Sequence, residues 1–189
     1  ALDWGVTKII VGLGGSVTND AGAGMAQALG ARFLDVHYQQ VALGAAYLKQ
    51  IKSIDLSSLD LRLQQTKIII ASDVSNPLCG ENGASFIFGP QKGATAEMVQ
   101  QLDDNLGYFA DLVSTQMNKN LKEVAGAGAA GGLGFGLMVF AGAHIRSGIE
   151  LVIEQTKLAE KIAQADYVLT GEGKIDHQTQ YGKTPFGVA

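Results

Sequence analysis

Short apolar runs alternate with glycine-rich turns and with longer stretches of helical spacing along this chain. Runs of branched apolar residues at 9–11 and 67–71, and a shorter one at 167–170, predict strands, and the run at 67–71 is typical of a buried strand. Apolar residues at spacings of three and four from Met98 to Val113 predict a long amphipathic helix with Met98 and Phe109 in the core, and Thr95 is a favourable N-cap. This order predicts an α/β layered fold with a mainly parallel or mixed sheet and flanking helices.

Shorter patterns give the remaining local predictions. We predict strands at 32–38 and 84–88, helices at 25–29, 43–51 and 129–143, helices beginning at 147–148, 158 and 185, and a packed loop at 53–63.

The stretch 8–30 predicts a strand, a glycine-rich turn and a helix in succession. Free backbone N–H groups and the positive end of a helix dipole meet at such a junction, which suits phosphate or carboxylate. A packing turn is the alternative, because glycine also allows a helix to lie close to a sheet. Ser16 and Val17 stand where a P-loop needs Lys and Ser or Thr, and Val17 stands where the dinucleotide fingerprint needs glycine. A phosphate-handling loop here would therefore be of another kind.

Composition narrows the classes of function. The 189 residues are 47% hydrophobic and 17% charged, which is enough for one sizeable core. The net charge of −4 argues against a nucleic-acid surface, and no apolar segment has the length of a membrane span. The single cysteine, Cys79, cannot form an internal disulfide, which is consistent with a reducing compartment.

Acidic residues follow three of the predicted strands, and two glycine-containing loops carry a lysine. These residues are Asp20, Asp73, Glu172 and Asp176, with Lys92 and Lys183. Phosphoryl transfer requires this combination, because acids hold Mg²⁺ or accept a hydroxyl proton and lysines neutralise the transferring oxygens. Ligands bind at the carboxyl ends of strands in open α/β sheets, so we expect the loops to share one site.

A second glycine cluster, 126–131, does match the dinucleotide fingerprint, with Glu150 near the position of the ribose-binding acid. That motif requires a buried strand directly before it, and 118–125 has only Leu121 and Val124 as strongly apolar residues. An oxidoreductase domain is therefore the alternative, and it predicts a strand that ends at Gly126.

Five long motifs occur in one order. They are GGSVTNDAGAGM (14–25), SDVSNPLCGENGAS (72–85), FGPQKGAT (88–95), GAGAAGGLGFGL (126–137) and TGEGKIDHQTQYGKTP (170–185). Together they closely resemble the bacterial class I glycerate kinases. The resemblance spans the whole chain, but only the middle of the family's length.

This resemblance implies a cytoplasmic enzyme that phosphorylates glycerate with ATP and Mg²⁺. It also implies two α/β domains, one inserted into the other, with the active site in the cleft between them. Residues 1–189 would form one domain, mostly the inserted one, with about 1–15 and 166–189 reaching toward the second domain. We expect no nucleic-acid or membrane partner, and assembly into a homo-oligomer stays open.

The family motifs also assign the site residues. The resemblance implies catalytic roles for Asp20, Asp73 and Lys92, substrate or phosphate binding by Gly14, Gly15, Ser16, Thr18, Asn19, Asn76 and Lys183, and metal binding by Glu172 and Asp176. Asp73 or Asp20 would orient the glycerate hydroxyl. The chain alone is expected to be inactive, because half of the cleft would be missing. A non-catalytic binding module on the kinase fold is a further alternative, which would show no ATP turnover.

Overall fold

The computed structural model describes residues 1–171 and 187–188. Its regular elements follow one another as β1 (Lys8–Gly12), α1 (Ala23–Ala28), β2 (Arg32–Leu34), β3 (Ser53–Asp55), β4 (Lys67–Ala71), α2 (Ala84–Phe88), α3 (Ala96–Met117), α4 (Ala129–Ala141), β5 (His144–Arg146), α5 (Gly148–Thr156) and α6 (Leu158–Ile162). Short 3₁₀ helices lie at Leu2–Trp4, Ala45–Gln50, Leu61–Gln65 and Pro90–Lys92.

A parallel three-stranded sheet in the order β1-β4-β5 organises the fold. β4 lies in the middle, and its residues Ile68, Ile69 and Ile70 are buried, as a branched apolar run predicts. Gly12 pairs with Ala71, so β1 and β4 end side by side. β2 and β3 form a separate antiparallel pair. The predicted α/β class with a mainly parallel or mixed sheet is confirmed.

Helix α4 lies between two parts of the core. Its Phe135 and Phe140 belong to a cluster that also contains residues of α1, α2 and α3. In that cluster Phe33 of β2 and Phe109 of α3 meet edge to face, at 5.3 Å between ring centroids. Leu137 and Ala141 of the same helix pack instead against Ile68 and Ile70 of the sheet. A helix that is apolar all round is buried, which confirms the prediction of a buried helix here.

Helix α3 confirms the prediction of a long amphipathic helix. The Thr95 hydroxyl oxygen accepts a hydrogen bond from the Met98 N–H at 3.3 Å, which is the predicted N-cap. Phe109 and Val113 are fully buried, as their spacing requires. Met98 is 48% exposed, so its predicted place in the core is wrong. It lies on the first turn, where one side of the helix faces a cleft instead of the core.

Several shorter predictions are wrong in type. Residues 84–88 form helix α2 and not a strand; five apolar or small residues fit either period, and packing against α3 and α4 decides the outcome. The stretch 53–63 contains β3 and the start of a 3₁₀ helix instead of an irregular loop. Residues 167–170 form no strand, and the side chain of Leu169 is 98% exposed, so it has no sheet face to pack on.

Two other predictions hold only in part. The strand predicted at 32–38 stops after Leu34, because the Asp35 carboxylate accepts hydrogen bonds from the N–H groups of His37 and Gln39 and forms a turn. The helix predicted at 43–51 is a 3₁₀ helix over Ala45–Gln50. The predicted start of a helix at Pro185 lies outside the described residues, and residues 187–188 are helical. Within the described part of the chain, no helix combines the length and apolar character needed to cross a membrane.

Candidate functional site

The loops after β1 and β4 leave the sheet at the same edge, as parallel pairing of Gly12 with Ala71 requires. They face a pocket of about 200 Å³ whose walls include Gly14, Gly15 and Ser16 from the first loop and Val74 from the second. Gly15 takes a left-handed conformation, with φ +57°. The predicted phosphate loop and the loop that contains Asp73 therefore meet at one place.

Lys92, which is distant in sequence from both loops, also lines this pocket. Its Nζ donates hydrogen bonds to Ser16 Oγ at 3.2 Å and to the Thr18 carbonyl oxygen at 2.7 Å. The side chain is half-buried, and desolvation lowers the pKa of its ammonium group below the usual value for lysine. This places a fixed cation beside the glycine loop, 76 residues away in sequence.

A second cleft, of about 350 Å³, is also lined by Lys92. Thr18, Asn19 and Asp20 form its polar end, and Met98 and Leu102 of α3 lie on its apolar side. Lys92 lines both cavities. The two spaces therefore adjoin at one cationic side chain.

Asp20 stabilises the turn that leads into α1. Its Oδ1 accepts hydrogen bonds from the Thr18 hydroxyl at 3.1 Å and the Gly22 N–H at 3.0 Å, and its Oδ2 accepts one from the Gly24 N–H at 3.0 Å. Both carboxylate oxygens are therefore engaged in holding the loop. The predicted anion site at the start of this helix contains a carboxylate of the chain itself.

Asn19 joins the same loop to α2. Its Nδ2 donates to Ser85 Oγ at 3.0 Å, and Ser85 is fully buried. The buried Asn19 Oδ1 accepts no hydrogen bond from any described residue. An unsatisfied buried acceptor is costly, so its retention here needs a reason beyond packing.

Asp73 and Asn76 follow β4 but line neither cavity among the walls the structure describes. The exposed Asp73 uses Oδ1 to accept the Gly148 N–H at 3.0 Å, at the start of α5. Asn76 Nδ2 donates to the Asn82 carbonyl at 2.8 Å. The structure brings the Asp73 loop to the shared pocket through Val74, and it directs the Asp73 carboxylate toward α5.

The glycine cluster 126–132 connects the two loops, a role that neither the dinucleotide fingerprint nor the predicted buried helix anticipated. Ala130, Gly131 and Gly132 all have positive φ, at 51°, 66° and 87°. A methyl group at Gly131 would overlap the Thr18 carbonyl oxygen, and Ala130 lines the smaller pocket. A non-glycine residue with positive φ marks a strained position of the kind that clusters at functional sites, and it is visible only in the structure.

This cluster does not bind a dinucleotide in the way the alternative requires. In the described chain the residues directly before Gly126 form turns and not a strand. The Gly128 N–H instead donates to the Asn76 carbonyl oxygen at 3.0 Å. The oxidoreductase alternative is therefore wrong in the structural feature on which it depends.

The predicted metal ligands Glu172 and Asp176, and the predicted phosphate ligand Lys183, lie outside the described residues. Among residues 1–171 and 187–188, no group of three His, Cys, Asp or Glu side chains is placed to hold a metal ion. A metal in the assembled site would therefore need ligands from beyond this part of the chain or from a bound substrate.

Known proteins resemble this chain along its whole length. The profile of the glycerate kinase family matches residues 1–189. A glycerate kinase of Halalkalibacterium halodurans is 51% identical over 189 residues, and a glycerate 2-kinase of Escherichia coli K12 is 50% identical; each match covers 100% of this chain and 50% of the relative.

A crystal structure assigned as glycerate kinase 2 from Salmonella typhimurium LT2 has a TM-score of 0.90 and 50% identity, over 99% of this chain and 50% of that one. The chain therefore spans about half the length of the curated relatives it matches. Similarity of this extent shows common ancestry, and the chain belongs to the glycerate kinase family.

Proposed function

We propose that the protein containing this chain phosphorylates glycerate with ATP, in the cytoplasm. The observation that carries the proposal is the position of Lys92, whose ammonium group is fixed by Ser16 and Thr18 between two adjoining cavities. Phosphoryl transfer depends chiefly on positioning and on stabilising the charge of the transferring group. A cation held between two substrate spaces supplies both.

The smaller pocket suits the acid substrate. Glycerate is a three-carbon acid, and the backbone N–H groups of a glycine-rich turn can approach its carboxylate closely. Gly14, Gly15 and the Ser16 hydroxyl would bind it, with Lys92 near the attacking hydroxyl. The name of the Escherichia coli relative, a glycerate 2-kinase, supports transfer to the hydroxyl at C2.

The two acids after β1 and β4 have different surroundings. Asp73 does not line the smaller pocket itself, but its neighbour Val74 does. Because Asp73 is exposed and its Oδ2 has no hydrogen-bond partner among the described residues, it is the better candidate to accept the hydroxyl proton. Asp20 already accepts three hydrogen bonds and would act by holding Thr18 and Asn19 in place. Asn76 would support the Asp73 loop through its bond to Asn82.

Glu172 and Asp176 are the proposed ligands of Mg²⁺, and Lys183 is a further proposed phosphate ligand. Carboxylate oxygens suit this ion, which when bound would neutralise charge on the nucleotide phosphates. We propose further that residues 1–189 are mostly the inserted domain of a two-domain enzyme and are inactive alone. The relatives' doubled length supports that arrangement.

A coupled ADP-release assay on the full-length protein tests the proposal. D-Glycerate should support turnover, whereas 3-hydroxypropionate, which lacks the C2 hydroxyl, and glycerol, which lacks the carboxylate, should not. Phosphorus NMR of the product distinguishes 2-phosphoglycerate from 3-phosphoglycerate. Absence of ATP turnover with D-glycerate would refute the proposal and favour a non-catalytic binding module.

A further inference from the structure

The proposed glycerate site in the smaller pocket leaves the larger of these two cavities without an assigned occupant. That cleft, of about 350 Å³, adjoins Lys92 but is bordered mainly by apolar and backbone atoms. Met98 is 48% exposed there, and Leu102 follows one helical turn later on the same side of α3. An exposed methionine beside a cleft is typical of an adaptable apolar binding surface.

One wall of this cleft is held by a hydrogen bond from a buried side chain. Gly44 and Ala45 form one wall, and the Ala45 carbonyl oxygen accepts a hydrogen bond at 2.9 Å from the amide of Asn105, which is 2% exposed. Gly93 and Ala94 belong to another wall. Gly93 has φ +91°, a conformation that excludes larger residues, so this side of the cleft stays open. Glycine and alanine walls together with the apolar face of α3 suit an apolar group.

We propose that this cleft binds the purine nucleoside of the phosphoryl donor, an assignment that rests on the proposed kinase activity. The base lies against Met98 and Leu102, and the phosphate chain runs toward Lys92. Glycerate occupies the neighbouring pocket of Gly14 and Ser16, which the same lysine lines. The two substrates then meet at Lys92, which lines both spaces.

Substitution of Met98 tests the assignment in the full-length protein. Met98→Glu places a negative charge in the cleft. Position 98 is the third after the Thr95 N-cap, where an acidic residue is favourable for the helix, so the variant should fold. We expect the KM for ATP and the Kd for a fluorescent ADP analogue to rise about tenfold, because an apolar contact is replaced by a charge that repels phosphate. The KM for glycerate should stay within about twofold of wild type.

Two further variants distinguish an effect on the cleft from a general effect of substitution or added charge on α3. Met98→Leu keeps the apolar contact and should bind the analogue normally. Gln101→Glu adds the same charge to an exposed position of α3 outside both cavities, and should leave both constants unchanged. Unchanged nucleotide affinity in Met98→Glu, or a rise in the KM for glycerate alone, would overturn the assignment.

The two proposals fail in distinguishable ways. If the wild type phosphorylates glycerate and Met98→Glu has normal nucleotide constants, only the nucleoside assignment is wrong. If the wild type phosphorylates no glycerate but binds the ADP analogue, and Met98→Glu does not, the proposed activity is wrong and the nucleoside cleft is supported.

Discussion

Replacement of Lys92 by methionine should abolish most turnover at a small cost in stability. The variant keeps an unbranched apolar stem but removes the two hydrogen bonds to Ser16 Oγ and the Thr18 carbonyl oxygen. Because the side chain is only half-buried, water can replace part of what is lost, and we expect a decrease of ~1–2 kcal/mol in the free energy of unfolding. A domain stable by ~5–15 kcal/mol stays folded after such a loss.

The expected loss of activity is larger than that of stability. Removing one preorganised group that stabilises transition-state charge costs about 10²–10³ in kcat, or ~3–4 kcal/mol. Coupled ADP release in the full-length protein gives kcat/KM, and urea unfolding gives the stability. Lys122→Met is the matched control, because Lys122 forms an ion pair with Asp111 at 2.7 Å outside both cavities. A Lys92→Met enzyme that keeps kcat/KM within about threefold of wild type would refute the reasoning.

The lowered pKa of Lys92 also predicts how kcat/KM depends on pH. The rate constant kcat/KM should fall as the ammonium group deprotonates, at a pH below the value of 10.5 usual for lysine. Since the folded state holds this proton less tightly than the unfolded chain, deprotonation favours folding, and activity should be lost before structure. Lys92→Arg should shift the alkaline limb upward, and an unmoved limb would assign it to another group.

Three further substitutions test the acids. Asp73→Asn should lower kcat by about 10²-fold or more with near-native melting, because an amide oxygen can still accept the N–H at the start of α5; normal turnover would remove Asp73 from the mechanism. Asp20→Asn should cost ~1 kcal/mol in urea unfolding, since an amide NH₂ cannot accept the Gly24 N–H, and a variant of unchanged stability would contradict its role in the loop. Asp60, whose pKa the Arg62 hydrogen bond lowers to about 2, stabilises the fold above pH ~4 and loses that contribution as the pH falls toward 2. Acid unfolding of Asp60→Asn followed by circular dichroism should therefore show a shallower decline over that range than the wild type, and an equally steep one would contradict the shift.

Apolar patterns in the sequence were sufficient to predict those elements whose formation depends mainly on burying apolar side chains. The spacing from Met98 to Val113 predicted α3 because a helix of this length must bury one stripe. The branched runs of β1 and β4 predicted a parallel sheet, since both are short and strongly apolar. The family motifs gave the family, which whole-length similarity confirms.

Short segments were decided by their neighbours. Residues 84–88 carry apolar or small side chains at every position, so only their contact with α3 and α4 makes them helical. Residues 167–170 have strand-forming side chains but no strand beside them in the described part of the chain. Local propensity is weak compared with packing, and packing depends on residues that are distant in sequence.

The sequence alone predicted a glycine-rich loop between β1 and α1, because glycines and capping residues act locally. Only the tertiary structure decided which groups surround that turn. It brought Lys92 within 3.2 Å of Ser16 across 76 residues, directed the Asp73 carboxylate to α5, and left Met98 at the side of a cleft. Such contacts arise from how α2, α3 and α4 pack together, and residue types at fixed spacing carry no record of that packing.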